Sequence, residues 1–300
     1  MTASRAPYAL VTAFTTNPFG GNPAAVVFLD TAAVSNDDLG KIAANLNQPV
    51  LSVLTPEPLP SSEERVLVYN VRFILTSGRE IPLCGHGTMA ASKALFALPE
   101  VQAKGTHTVH FKTISGATLK AVELADGFIE IELPVADIQS ASPEVQTTVK
   151  SHLDKAFGRD VRVKDIKVGT GSTYDAYVLV ELDVGENLGG STLDGEQLRG
   201  NGFRVNVITT QSPTPDVAFV SRMFAPTAVE GTGEDHVCGS AHGLLVPFWS
   251  SKLGIAPGEE IKAKQVSARG GDLRVVWEKE AGTFRLRGQC VTLASGELHI

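Results

Sequence analysis

Pro82-Leu83-Cys84-Gly85-His86-Gly87-Thr88 and Val237-Cys238-Gly239-Ser240-Ala241 read as two copies of one local design. In each, short strand patterns run into a Cys-Gly pair, and the pair leads into an apolar run with helical spacing. The first such run is Ala-rich Thr88–Leu98, which starts on a hydroxyl residue, and the second is Leu244–Lys252. The cysteines are 238 − 84 = 154 positions apart, about half of the 300 residues. Self-similarity at that spacing points to an internal duplication.

The pattern around the first copy is mostly β. Tyr8–Phe14 and Ala24–Leu29 read as strands joined by the turn-rich segment Thr15–Pro23. Ser35-Asn36-Asp37-Asp38 is a helix start, with an apolar stripe at Leu39, Ile42, Ala43 and Leu46 that ends at Asn47–Pro49. Leu51–Leu54, Val66–Tyr69 and Val71–Leu75 are expected strands, and a meander follows over Val109–Lys112, Ala117–Leu124 and Phe128–Leu133. Pro134–Pro143 is the best boundary, because the β pattern stops there. Beyond it come a helix over Val145–Phe157 and strands over Lys164–Gly169, Ala176–Leu182, Val205–Thr210 and Val217–Phe224. Ile261–Ser267, Leu273–Glu278, Phe284–Leu286 and Cys290–Leu293 close the chain as strands. The expectation is an α+β protein of two lobes, residues 1–133 and 134–300, whose last strands can cross back to the first lobe.

Composition narrows the function. Hydrophobic residues make up 43% and charged residues 20%, as in globular proteins. No apolar run is long enough for a membrane span, and the start lacks the apolar core of a signal peptide, so a cytoplasmic protein is expected. Net charge is −7, which leaves no basic stripe for nucleic acid. Three cysteines without an export signal favour free thiols over a disulfide framework. Cys290 sits on a late strand without a Gly partner and reads as core. No paired His or Cys spacing suggests a metal, and neither a dinucleotide nor a P-loop glycine pattern occurs. No metal and no cofactor are expected.

A thiol at a helix N-terminus meets unpaired N–H groups and the positive end of the helix dipole, which lower its pKa from about 8.5. A lone Cys-Gly there is most often structural. Two in matching contexts make an acid/base pair: one thiolate takes a proton from a carbon and the opposite thiol returns one. That is epimerisation or racemisation without a cofactor, with the carbanion stabilised by aligned donors.

The residues also resemble a known family. Phe14-Thr15-Thr16-Asn17-Pro18-Phe19-Gly20-Gly21-Asn22-Pro23-Ala24-Ala25-Val26 is similar to the N-terminal signature of the PhzF-like (phenazine biosynthesis-like) family. Ser221-Arg222-Met223-Phe224-Ala225-Pro226 with Glu234-Asp235-His236-Val237-Cys238-Gly239-Ser240-Ala241-His242 resembles a second signature, and Gln265-Val266-Ser267-Ala268-Arg269-Gly270-Gly271 a third. The resemblance implies the diaminopimelate epimerase fold: two pseudo-symmetric lobes, each a curved, mostly antiparallel sheet around a central helix, with the active site between them. His86, Asp235 and Ser240 match the family's polar site residues, and Asn22 is a further candidate by resemblance. Gln48, in Asn45-Leu46-Asn47-Gln48-Pro49, stands where the family carries a proton-shuttling glutamate, and an amide cannot replace that chemistry. The two Cys-Gly motifs are similar to those of proline racemases.

The expected function is a cofactor-independent isomerase, an epimerase or racemase acting next to a carboxyl or carbonyl carbon. Cys84 and Cys238 are its expected acid/base pair. His86, Asp235 and Gln48 are expected to hold the substrate, and the amides of Gly85, His86, Gly87, Thr88, Gly239, Ser240 and Ala241 its anionic group. The expected partner is a small carboxylate-bearing molecule, and a homodimer is possible. Two alternatives stand beside this reading: a hydrogen-shift isomerase using Asp235 and His86, and an inactive small-molecule-binding homologue.

Overall fold

The computed structural model describes residues 5–30, 34–57, 66–229 and 231–300. The chain forms two compact units, Met1–Leu133 with Leu286–Ile300, and Pro134–Arg285.

In the first unit, β1 (Arg5–Ala13) and β2 (Asn22–Phe28) form an antiparallel hairpin. Helix α1 (Asn36–Asn45) leads to β3 (Val50–Pro56), which lies parallel to β2. β4 (Val66–Leu75) returns antiparallel to β3 and takes the two-residue β5 (Glu80–Ile81) on its end. After α2 (Gly85–Phe96) and the short α3 (Pro99–Ala103) come β6 (Thr108–Lys112), parallel to β4, then β7 (Thr118–Glu123) and β8 (Ile129–Pro134) as a meander.

The second unit opens with β9 (Asp137–Ser140) and α4 (Pro143–Phe157). β10 (Val163–Thr170) and β11 (Tyr177–Leu182) pair antiparallel, and β12 (Val205–Gln211) runs parallel to β11. β13 (Phe219–Phe224) returns antiparallel and takes the two-residue β14 (Glu234–Asp235) on its end. Helix α5 (His242–Leu253) follows, then β15 (Glu260–Gln265) parallel to β13 and β16 (Gly271–Glu278) antiparallel to β15. β17 (Thr283–Gly288) and β18 (Cys290–His299) end the chain, and β18 pairs with β1.

The strand order repeats. β1-β2-β3-β4-β5-α2-β6-β7 and β10-β11-β12-β13-β14-α5-β15-β16 have the same sequence of parallel and antiparallel neighbours. Each unit thus places a two-residue strand, a cysteine three residues beyond it, and a helix at the same point of its topology.

Packing explains the apolar runs. Ala24, Ala25, Val26 and Val27 of β2 are all fully buried, so both faces of that strand are covered. Leu39 and Ala43 of α1 pack with Ala25, Val27, Leu51, Val53 and Ile74, while α2 packs against β1, β2 and β3. In the second unit α4 buries Val149, Leu153 and Ala156 on Val178, Val180, Leu182, Ile208, Val220 and Phe224. Trp249 of α5 stacks on Phe219 at 5.6 Å and donates its indole N–H to Thr209. Helices α2 and α5 are buried nearly all round, as central helices must be. Pro247 inside α5 cannot donate to Gly243, and the freed carbonyl accepts from Ala136 N at 3.0 Å.

The expected elements shift in instructive places. Val66–Tyr69 and Val71–Leu75 are one strand, because Asn70 holds an in-line place by donating to Glu57 at 2.9 Å. The Cys290 strand runs on to His299. The boundary segment Pro134–Pro143 contains β9, whose exposed side chains carry no apolar alternation.

Candidate active site

In the first unit β5 delivers the chain to Cys84 in an extended conformation, and Cys84 is the N-cap of α2. Its Sγ accepts from Gly87 N at 3.4 Å and lies 3.5 Å from His86 Nδ1. Thr88 secures the cap, its hydroxyl donating to Cys84 O at 2.8 Å. Gly87 is required by close approach: a Cβ there would lie 2.9 Å from Ser52 Oγ, 3.0 Å from Phe73 Cδ1 and 3.1 Å from Cys84 Sγ. The cysteine is buried and His86 is half-buried. The Gly87 N–H and the His86 imidazole are thus polar neighbours of that sulfur.

Asn22 is buried at the start of β2, opposite Ala13. The loop before it is tied by Thr12 Oγ1 donating to Gly20 O at 2.6 Å, and by Gly21 at φ +68°, where a Cβ would meet Ala13 O. Gln48 follows Asn47 (φ +52°) in the turn after α1. Its Nε2 donates to Leu46 O at 3.1 Å and its backbone N to Ala43 O, so its hydrogen bonds stay within its own turn. It makes none to Cys84 or His86.

In the second unit the parallel with Cys84 is incomplete. Helix α5 begins at His242, four residues beyond Cys238, and its N-cap is Ala241 in αR conformation without a side-chain cap. Cys238 lies in the turn ahead of the helix, so the expectation of two thiols capping two helices is corrected here. The expected lowering of both thiols is corrected too: burial first, and the neighbouring Asp235 carboxylate second, push the Cys238 thiol well up. A thiol held neutral is suited to giving a proton rather than taking one. Cys290 is half-buried, its sulfur near Met89 O at 3.9 Å, and burial pushes its thiol up to about 12.

Cys238 Sγ lies 3.3 Å from Ser240 Oγ, which lies 3.1 Å from the Tyr177 hydroxyl. Burial, with the Cys238 sulfur nearby, pushes the Tyr177 phenol up to about 12. Asp235 is half-buried, and its strand β14 is anchored by the preceding residue, Glu234, which takes Arg222 Nε at 2.6 Å and Nη2 at 2.8 Å. Gly239 and Ala241 are buried in the turn, and Ser240 is half-buried.

Sequence reasoning missed Tyr177, Arg222, His242 and Gln265 around this centre. Arg222, His242 and Gln265 stand inside the signatures quoted above, which was a usable signal. Tyr177 carries none, because nothing local marks which residue of β11 approaches Ser240. Among the described residues no group of three or more His, Cys, Asp and Glu side chains is placed to hold a metal ion, and no helix is long and apolar enough to cross a membrane.

A mixed α/β fold with a repeated strand order and a thiol at the same topological point of each unit defines a class of proteins, and comparison with known proteins gives the family. Residues 11–296 match the phenazine biosynthesis-like protein (PhzC-PhzF) family, and the chain belongs to it. It is 31% identical over 294 residues to an uncharacterized isomerase of Halalkalibacterium halodurans, covering 97% of this chain and 98% of that one. The crystal structure of a PhzF-family phenazine biosynthesis protein from Enterococcus faecalis has a TM-score of 0.79 to it at 26% identity, covering 99% of this chain and all (100%) of the other. A hydroxyproline epimerase from Agrobacterium vitis, with bound trans-4-hydroxy-L-proline, shares the fold at a TM-score of 0.53 and 12% identity, over 99% of this chain and 92% of that one.

Proposed function

We propose that this protein is a cofactor-independent isomerase that epimerises or racemises a small carboxylate-bearing molecule at the carbon next to its carboxyl or carbonyl group. The observation that carries the reading is the unlike setting of the two thiols. Both sulfurs are buried and take a backbone N–H, from Gly87 and from Ala241, but Cys84 has His86 Nδ1 at 3.5 Å whereas Cys238 has the Asp235 carboxylate and the Ser240 hydroxyl.

In the proposed reaction Cys84 as thiolate takes the proton from the carbon. The bond electrons pass into the adjacent carbonyl as an enolate, and Cys238 as thiol delivers its own proton to the opposite face. The product leaves a Cys84 thiol and a Cys238 thiolate, and proton exchange with water resets the pair. Backbone N–H groups of the Cys84–Thr88 cap and the Gly239–Ala241 turn suit the substrate carboxylate and the developing enolate oxygen. The naming of the Halalkalibacterium halodurans relative as an isomerase supports the reaction class.

A second reading, a hydrogen-shift isomerase using Asp235 and His86, is favoured by family membership. Deuterium incorporation from D2O separates the two, tried on D- and L-amino acids, hydroxyprolines and cyclic dienoic acids. Two-base epimerisation labels the product while recovered substrate stays unlabelled early in the reaction. Cys84→Ser and Cys238→Ser each cut turnover by about two to four orders of magnitude. Turnover surviving both substitutions would establish the second reading instead.

A further inference from the structure

Beyond Asp235, the segment to Cys238 belongs to no strand or helix, and Val237 and Cys238 are buried. Buried backbone groups outside a ladder must find partners elsewhere, and here side chains supply them. Gln265, the last residue of β15, is fully buried; its Oε1 accepts from Cys238 N at 2.8 Å and its Nε2 donates to Asp235 O at 2.6 Å. Ser267 Oγ donates to His236 O at 2.6 Å, and His242 Nδ1 donates to Cys238 O at 3.0 Å. The orientation of the Gln265 amide follows from its partners, since a backbone N–H needs the oxygen and a backbone carbonyl needs the NH2 group.

We propose that Gln265 is a positioning residue whose single carboxamide, closed on the backbones of both Asp235 and Cys238, fixes how the Asp235 carboxylate and the Cys238 thiol face each other. Asp235 reaches the thiol from the same segment, Ser240 and the Ala241 N–H from the following turn, and Tyr174 and Tyr177 from the turn before β11 and from β11, while His242 at the start of α5 meets the Cys238 carbonyl. The tie across Asp235 and Cys238 keeps the thiol dry and beside the carboxylate, so releasing it lets water in and lets the two groups part. The consequence for turnover rests on the isomerase reading; the effect on the thiol does not.

The test is iodoacetamide alkylation of the intact chain from about pH 6 to about pH 11, read cysteine by cysteine with peptide mass spectrometry. In Gln265→Leu the Cys238 alkylation rate rises by about tenfold or more across this range, because the burial penalty and the carboxylate's influence both weaken and the thiolate fraction grows. The Cys84 profile stays in place as an internal reference. Gln265→Asn keeps both polar groups on a shorter stem, raises the rate by less, and decides the question should the leucine variant not fold. A Cys238 profile matching the wild type in a folded variant overturns the proposal. So does a common shift of Cys84, Cys238 and Cys290, which marks general loosening. Absence of deuterium exchange with every substrate tried would sink the isomerase reading and leave this result standing.

Discussion

The Cys84 thiol and the His86 imidazole, two residues apart at the start of α2, approach to 3.5 Å, and the same sulfur takes the Gly87 N–H at 3.4 Å. Cys238 takes a matching backbone N–H from Ala241, but has the Ser240 hydroxyl at 3.3 Å and the Asp235 carboxylate nearby where Cys84 has an imidazole. Cys84 is therefore expected to be alkylated by iodoacetamide at neutral pH several-fold faster than Cys238. His86→Gln is expected to slow Cys84 by about tenfold while leaving Cys238 unchanged. Equal rates for the two thiols in the wild type would remove the asymmetry on which the proton-transfer scheme rests.

Gly87→Ala pushes a methyl group into Ser52, Phe73 and the Cys84 sulfur, all of which lie within 3.1 Å of its Cβ. The expected cost is about 1–3 kcal/mol, read as a lower urea midpoint, because the helix start is packed on every side. A displaced sulfur also predicts altered Cys84 alkylation. A variant as stable as the wild type would mean that the cap can shift at no cost.

Arg222 and Glu234 form a two-pronged ion pair with side chains only 9% and 10% exposed. Arg222→Met leaves the carboxylate buried without its partner, with an expected loss of about 3–5 kcal/mol. Removing both charges, in Arg222→Met with Glu234→Leu, is expected to recover most of that loss in chemical denaturation. If the double variant is no better than the single one, the damage lies in packing rather than in the orphaned charge.

His242 is fully buried, and burial pushes its imidazole down to about 4. The unfolded chain takes up this proton near pH 6.5 and the folded chain only near 4. This group's contribution is fully present above about pH 6.5 and is lost as pH falls toward 4, by on the order of 3 kcal/mol. Urea midpoints across that window should therefore fall more steeply for the wild type than for His242→Asn, which keeps a side-chain donor for the Cys238 carbonyl. Parallel slopes would show that other groups dominate acid lability.

The sequence by itself determined the alternation of strands and helices, the repeat of Cys84 at Cys238, and the family signatures. Each of these is local: an apolar period, a Gly beside a Cys, a Ser35 cap whose side chain accepts from Asp38 N. Tertiary structure decided what those residues can do. The Cys-Gly pair is nearly the same at both places, yet one cysteine caps a helix and the other lies in the turn before one, because helix starts depend on the packing of Gly243 and Tyr174 as well as on local sequence. A Cβ on Gly243 would lie 2.2 Å from the Tyr174 hydroxyl, a contact between residues 69 positions apart (243 − 174). The raised Cys238 thiol likewise comes from burial and from Asp235, and its backbone is held by Gln265, 27 residues further along the chain. Proton affinity depends on solvation and neighbouring charge, and both are properties of the folded surroundings rather than of the motif.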